Sequence, residues 1–202
     1  MAHTAPFDII AGPVDVYVAA VATAFPDVSA APASAWKRLG TSGTSSQDEG
    51  GVTVSHSQTI DQIRVAGVTG PVKAVRSSSD LVISVSLLDI SPEEYRRVLN
   101  DVTVASVSPG SGVGGQKKIG LSYGGSLDVA LYALIIRGSQ STEATAMAMQ
   151  YQCPKVFQSG SPSVTFSKSA SVLAVEFTAI YDISAASGAE YGTMIMQESA
   201  AS

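Results

Sequence analysis

The chain has 202 residues, of which 45% are hydrophobic and 14% are charged, and its formal net charge is −5. At roughly 100–200 residues per domain this is one large domain with a real core, and hydrophobicity this high with so small a net charge excludes wholesale disorder. A single cysteine, Cys153, excludes an internal disulfide framework and a cysteine-cluster metal site, and 12 basic against 17 acidic residues without a basic stripe argue against general affinity for nucleic acid.

From the amino end, Met1 to Ile10 carries His3 and Asp8 and no basic n-region. No stretch approaches the roughly 18 apolar residues of a membrane span, so the expectation is a soluble protein of a cytoplasm-like compartment, without a span. Ala24 to Ala35, rich in Pro and Ala, reads as a long loop, and so does Gly40 to Gly51, GTSGTSSQDEGG. Val52 to Val65 then alternates, with Val52 and Val54 on one face and Thr53, Ser55, Ser57, Thr59 and Asp61 on the other. A polar strand face of this kind is either solvated surface or the lining of a wet channel.

Leu81, Ile83, Val85 and Leu87 alternate with Ser84 and Ser86, which predicts a half-buried strand with a well-specified register. The run from Ser91 to Asn100 predicts a helix. Ser91 is the N-cap, Pro92 the first helical residue and Glu94 the capping-box partner, with Arg96 and Arg97 placed later as the macrodipole favours. Tyr95, Val98 and Leu99 form one stripe, so the helix lies on a sheet with its charges outward. Ser106 to Gly125 is read as a third long, glycine-rich loop, serving as a surface elaboration or a stacking element. Leu127 to Arg137 is apolar on both faces, which suits a central strand, with a short buried helix as the alternative. Val164 and Phe166 alternate with Ser163, Thr165 and Ser167. Ser171 to Ile183 gives the strongest alternation, with Leu173, Val175, Phe177, Ala179, Tyr181 and Ile183 facing one way, and Glu176, Thr178 and Asp182 the other. The fold class is mainly β: an antiparallel β-sandwich or barrel with one flanking helix and long loops.

Motifs for chemistry fail on context. Gly110 to Gly115 matches G-x-G-x-x-G, but Ile119 to Gly125 behind it holds three glycines and cannot open a phosphate-binding helix. The two histidines, His3 and His56, adjoin no nucleophile elbow, and His56 shares the alternation of Val52 and Val54 as a partly buried structural residue. Cys153 precedes Pro154 with no basic neighbour to lower its pKa, and Asp48-Glu49 reads as a solvated turn rather than a calcium ligand set. No catalytic, cofactor-binding or metal-binding residue is expected. A surface so poor in charge repels its own copies weakly and suits an assembly subunit.

The order of features is more informative than any motif. Trp36-Lys37-Arg38-Leu39-Gly40 enters the Gly/Ser/acidic loop, which leads to Gly51-Val52-Thr53-Val54 and the polar-faced strand. Pro71-Val72-Lys73-Ala74-Val75, a long strand ending Leu87-Leu88-Asp89, and the capped helix follow. From Trp36 to Ile183 this order resembles the major tail tube proteins of bacteriophages with long, non-contractile tails. The resemblance rests on architecture and carries no invariant catalytic signature.

The resemblance implies one tail-tube domain over 1–202, with an N-terminal arm at 1–35 and a C-terminal tail at 184–202. Copies would form rings, usually of six, whose inner sheets join edge to edge around a lumen. Thr53, Ser55, Ser57, Thr59 and Asp61 become candidate lumen-lining residues. The loop residues Thr41, Ser42, Gly43, Thr44, Ser45, Ser46, Gln47, Asp48 and Glu49 become candidates for contact with the next ring. Implied partners are further copies of the chain, a tape measure protein, tail tip and terminator proteins, and genomic DNA that passes without specific binding, in the virion tail after assembly in the host cytoplasm. The other readings are a different ring-forming tail or secretion-tube component, and a monomeric β-sandwich binding module, for which Trp36, the single tryptophan, offers little anchoring surface.

Overall fold

The computed structural model describes residues 14–40, 47–88, 90–123, 127–138, 149–164 and 171–196, with the backbone alone for 47–50. Its strands are β1 (Val14–Ala20), β2 (Lys37–Arg38), β3 (Gln47–Ile63), β4 (Lys73–Leu87), β5 (Val104–Val107), β6 (Gln116–Ile119), β7 (Leu131–Gly138), β8 (Met149–Gln158), β9 (Leu173–Ala179) and β10 (Thr193–Met196). One helix, α1 (Pro92–Val98), stands between β4 and β5. The mainly antiparallel β class expected from the alternation is observed, with this one helix beside it.

Eight strands form one sheet in the order β2-β1-β7-β8-β9-β4-β3, with β10 also on β8; β5 and β6 form a separate hairpin. All the strand pairs are antiparallel. The sheet folds over on itself, because Val16 and Val18 of β1 and Leu134 and Ile136 of β7 share one core cluster with Ile83 and Val85 of β4 and Val175 and Phe177 of β9. Side chains two residues apart point the same way, so this cluster is the filling of a two-layered, sandwich-like body.

The fold-over occurs at β8. Its second edge is shared, with β10 pairing Met149 to Gln152 and β9 pairing Val156 to Gln158. Between them lies a register irregularity against β7 that takes in Pro154, a residue that cannot donate to a ladder and is tolerated at a bulge.

β7 is buried on both faces, as a central strand should be. Tyr132, Leu134 and Ile136 enter the main core, while Ala133 and Ile135 enter a second cluster with Ala19 and Trp36. The strand begins only at Leu131, however; Leu127 and Val129 are exposed ahead of it. The Pro/Ala-rich segment 24–35 covers this second cluster and so is part of the body. Arg137 donates from Nη1 to the Ala30 carbonyl at 2.6 Å and from Nη2 to that of Asp27 at 2.9 Å, and the buried Gln150 donates to Pro26 at 3.0 Å. Trp36 Nε1 donates to the Ala24 carbonyl at 3.1 Å, and its ring lies 5.4 Å from that of Phe25.

Helix α1 starts as its sequence dictates, with Ser91 Oγ accepting from the Glu94 N–H at 3.4 Å and Pro92 behind it. Val98 and Leu99 are buried and Tyr95 packs against the core. The expectation of outward charges is corrected at Glu94, which is 4% exposed and lies 3.7 Å from Arg97.

Two further boundaries differ from expectation. The alternation through Ser171–Ile183 stops being a strand at Ala179, because β8 hands its edge to β10; Tyr181 is 52% and Ile183 90% exposed. Ser106–Gly125 is largely the β5–β6 hairpin rather than a loop, and Gly110 and Val113 close its turn by mutual backbone bonds of 3.0 and 3.1 Å. Val164 bridges to Leu173, while Phe166 lies outside the described residues.

Candidate functional site

With segment 24–35 covering β1, β7 and β8 from outside, the remaining outer sheet face is that of β9, β4 and β3. Its composition follows from register. Val52 and Val54 pair with Val85 and Ile83, and these with Val175 and Phe177, which fixes one face as core. The intervening residues must then share the opposite face. Thr53 stands opposite Ser84 and Glu176, Ser55 opposite Val82 and Thr178, Ser57 opposite Asp80, and Thr59 opposite Ser78.

The five sequence candidates Thr53, Ser55, Ser57, Thr59 and Asp61 therefore lie in one row of one face, and all five are exposed. They do not share one setting. β9 ends its pairing with β4 at Val82, so Thr53 and Ser55 sit on sheet backed by the core, whereas Ser57, Thr59 and Asp61 sit on a two-stranded arm beyond it. The arm carries β3 from about Ser57 to Ile63 and β4 from Lys73 to Asp80, exposed on both faces but for Ser79. A bulge between Thr59 and Ile60 leaves Ser77 as the extra residue on β4, and its Oγ reaches the Thr59 carbonyl at 3.4 Å.

The chemistry of the face is that of hydroxyls. Thr178 Oγ1 donates to Ser159 Oγ at 2.7 Å, and Ser159 Oγ to Glu176 at 3.3 Å. Among the described residues of these strands, the face carries Asp61, Asp80 and Glu176 against one cation, Lys73. Alternation within β3 reveals its own row but does not join it to Ser84, Ser86, Glu176 and Thr178. Those residues were visible as polar positions of separate strands; which strands become neighbours depends on long-range pairing, and local alternation does not encode it.

Of the loop candidates, Thr41, Ser42, Gly43, Thr44, Ser45 and Ser46 lie outside the described residues. Gln47, Asp48 and Glu49 belong to β3 and not to a loop, with Gln47 opposite Leu87 and an irregularity before Val52 where Gly51 takes a φ of +62°. His56 is exposed rather than partly buried, because the arm leaves the body at that point. It borders a cleft of about 470 Å³ between the arm and the segment 181–191. There the Tyr191 hydroxyl donates to the Ser79 carbonyl, and the Tyr181 ring meets that of Tyr191 edge-on at 5.5 Å. Cys153 is buried, and burial pushes its thiol pKa up to about 12, as expected for a structural cysteine. Among the described residues no cluster of His, Cys, Asp and Glu has the geometry to hold a metal ion, and no helix is long and apolar enough to cross a membrane.

β1 lies within the N-terminal segment 1–35 and pairs along its length with β7, and β10 lies within 184–202 and pairs with β8. No protein-family model matches the chain, and no curated protein matches it in sequence.

Proposed function

We propose that this protein is a structural subunit of a bacteriophage tail tube, of the long, non-contractile kind, that assembles as stacked rings around a DNA-conducting lumen and performs no catalysis. The observation that carries the reading is the hydroxyl-rich outer face of β9, β4 and β3, continuous with the arm and ending at an edge of β3 that no other described strand pairs with. A long strand with an open row of N–H and C=O groups is a liability for a monomer and a joint for an oligomer. Joined edge to edge, such sheets would close into a barrel lined by Thr53, Ser55, Ser57 and their cross-strand neighbours.

A lining of this kind suits passage of a polyanion. Retention of DNA requires cations that neutralise phosphates, and this face offers Lys73 against three carboxylates. Hydroxyls keep the wall hydrated while the slight negative charge discourages contact. The burial of Trp36 weakens the competing idea of a monomeric binding module, since the one tryptophan that could anchor a ligand is already spent inside the protein. Further copies of the chain are the primary partners of this reading. A tape measure protein inside the lumen, with tip and terminator proteins at the ends, would complete the tail.

Negative-stain electron microscopy of the concentrated protein tests the reading. Hollow tubes of uniform diameter are expected. A protein that stays monomeric at high concentration overturns it, and closed single rings that never elongate favour a different ring-forming component.

A further inference from the structure

The arm is a two-stranded hairpin that leaves the body where β9 stops pairing with β4, at Val82. From Asp80 to Lys73 it runs roughly 23 Å on ordinary strand geometry, and Val65 and Val68 at its tip are about half exposed. Two strands alone hold their shape only marginally, and any tilt at the base is magnified at the tip. The bulge between Thr59 and Ile60 interrupts the ladder and adds a further point of bending. Whatever fixes the angle of the arm must therefore act near its base.

One side chain does so. Among the described residues, the hydrogen bonds that reach the arm from outside its own two strands and turn all come from Tyr191, whose hydroxyl donates to the Ser79 carbonyl and lies 3.2 Å from Ser79 Oγ. The Tyr191 ring packs against the main core, and the Tyr181 ring braces it edge-on. The segment that carries both rings is itself tied down. Asp182 pairs with Lys155 of β8 at 3.1 Å, its N–H donates to the Glu190 carbonyl at 2.9 Å, and β10 takes up its pairing with β8 at Thr193. Tyr191 is thus a fixed post, and the space around it is open. Two clefts, of about 470 and 350 Å³, are both bordered by His56, Glu190 and Tyr191. Arg76 and Gln58, which border the larger one, bond to each other at 2.9 Å and not to the body. Close packing does not restrain the arm on this side, so it has room to tilt once the hydroxyl bond is gone.

We infer that Tyr191 is a latch: its hydroxyl holds the arm at one angle to the body, and its release turns a fixed arm into a swinging one. For a subunit that joins others through the face and edge of β3, a latched arm presents the joint already aligned, and less freedom is lost on contact. That use rests on the tube reading. The latch itself is a property of the single chain.

The test uses the full-length chain at a concentration too low for association. Tyr191→Phe keeps the ring on the core and removes the hydroxyl alone, and circular dichroism with melting checks that it folds. Hydrogen exchange at the amides of 57–63 and 73–80 should speed up by about 2- to 10-fold, the worth of one ordinary hydrogen bond, while the β7–β8 amides stay unchanged. Spin labels at Val68→Cys on the tip and Ala174→Cys on β9, with the buried Cys153 left unreacted, should show a broader spread of distances when Tyr191→Phe is added. An arm that keeps its exchange rates or its narrow spread of distances without the hydroxyl overturns the latch. So does exchange that speeds up equally in β7–β8, which would make Tyr191 a core residue only. Both readouts come from single chains and decide the latch whether or not copies form tubes, which microscopy of the concentrated protein decides separately.

Discussion

Single side chains settle much of the local geometry, and Asn100 is the clearest case. It takes a φ of +58°, a conformation asparagine tolerates better than most residues, and its amide holds the segment leading into β7 by three backbone bonds. Asn100→Ala loses both advantages and should cost about 1–3 kcal/mol in chemical denaturation, while Asn100→Gly, which keeps the backbone freedom, should cost less. Asp182 shows how a pH dependence arises. Two bonds from Ser184, at 2.6 and 3.0 Å, and then Lys155 at 3.1 Å hold its carboxyl down to about 2. A depressed carboxylate pKa adds stability above the unfolded value near 3.9, lost as pH falls through the folded value. The difference in melting temperature between the unaltered chain and Asp182→Asn should therefore be present at pH 7 and shrink between about pH 4 and pH 2.

At the scale of elements, legibility followed the range of the forces. The Ser91–Pro92 helix start and the alternation of Leu81–Leu87 and Leu173–Ala179 were readable because a cap and a half-buried strand are set by residues within one segment. The polar face was readable only as its β3 row, since the partners Ser84 and Glu176 are supplied by chain far away. Strand β1 carries a short alternation of Val14, Val16 and Val18 about Asp15 and Tyr17, while β8 hides its own by breaking at Pro154 and burying Gln150, a residue type ordinarily found at the surface. The entry to β10 depends on close approach. A Cβ on Gly192 would lie 2.1 Å from the Gln152 carbonyl oxygen, and its φ is +134°. Gly192→Ala should thus detach β10 from β8, seen as loss of hydrogen-exchange protection at Thr193–Met196 while the β7–β8 amides stay protected. Phe177, fully buried where β4 and β9 meet the core, gives the contrasting global effect, and Phe177→Ala should cost about 3–5 kcal/mol.

At the scale of the whole molecule, the low charge content acquires a location. From Ile60 to Arg76 the arm is basic and apolar, the polar face is slightly negative with Asp61, Asp80 and Glu176 against Lys73, and the rest of the acidic excess belongs to the body. If the polar face lines a conduit, its indifference to DNA depends on the scarcity of cations. Ser55→Lys with Ser57→Lys should give assemblies that retain short duplex DNA, with binding that weakens steeply as salt rises from about 50 to 200 mM, whereas unaltered assemblies retain none. Filter binding across that salt range checks this outcome.

The tryptophan gives the experimenter a built-in reporter. Its indole is enclosed by Phe25, Ala19, Ala133 and Ile135 and bonded to the Ala24 carbonyl, on the side of β7 away from the polar face. Emission excited at the indole band therefore reports the detachment of segment 24–35 and the unfolding of the body. It should stay constant in wavelength while copies associate through the arm or the edge of β3, so a red shift during assembly would locate a rearrangement on the other side of the sheet.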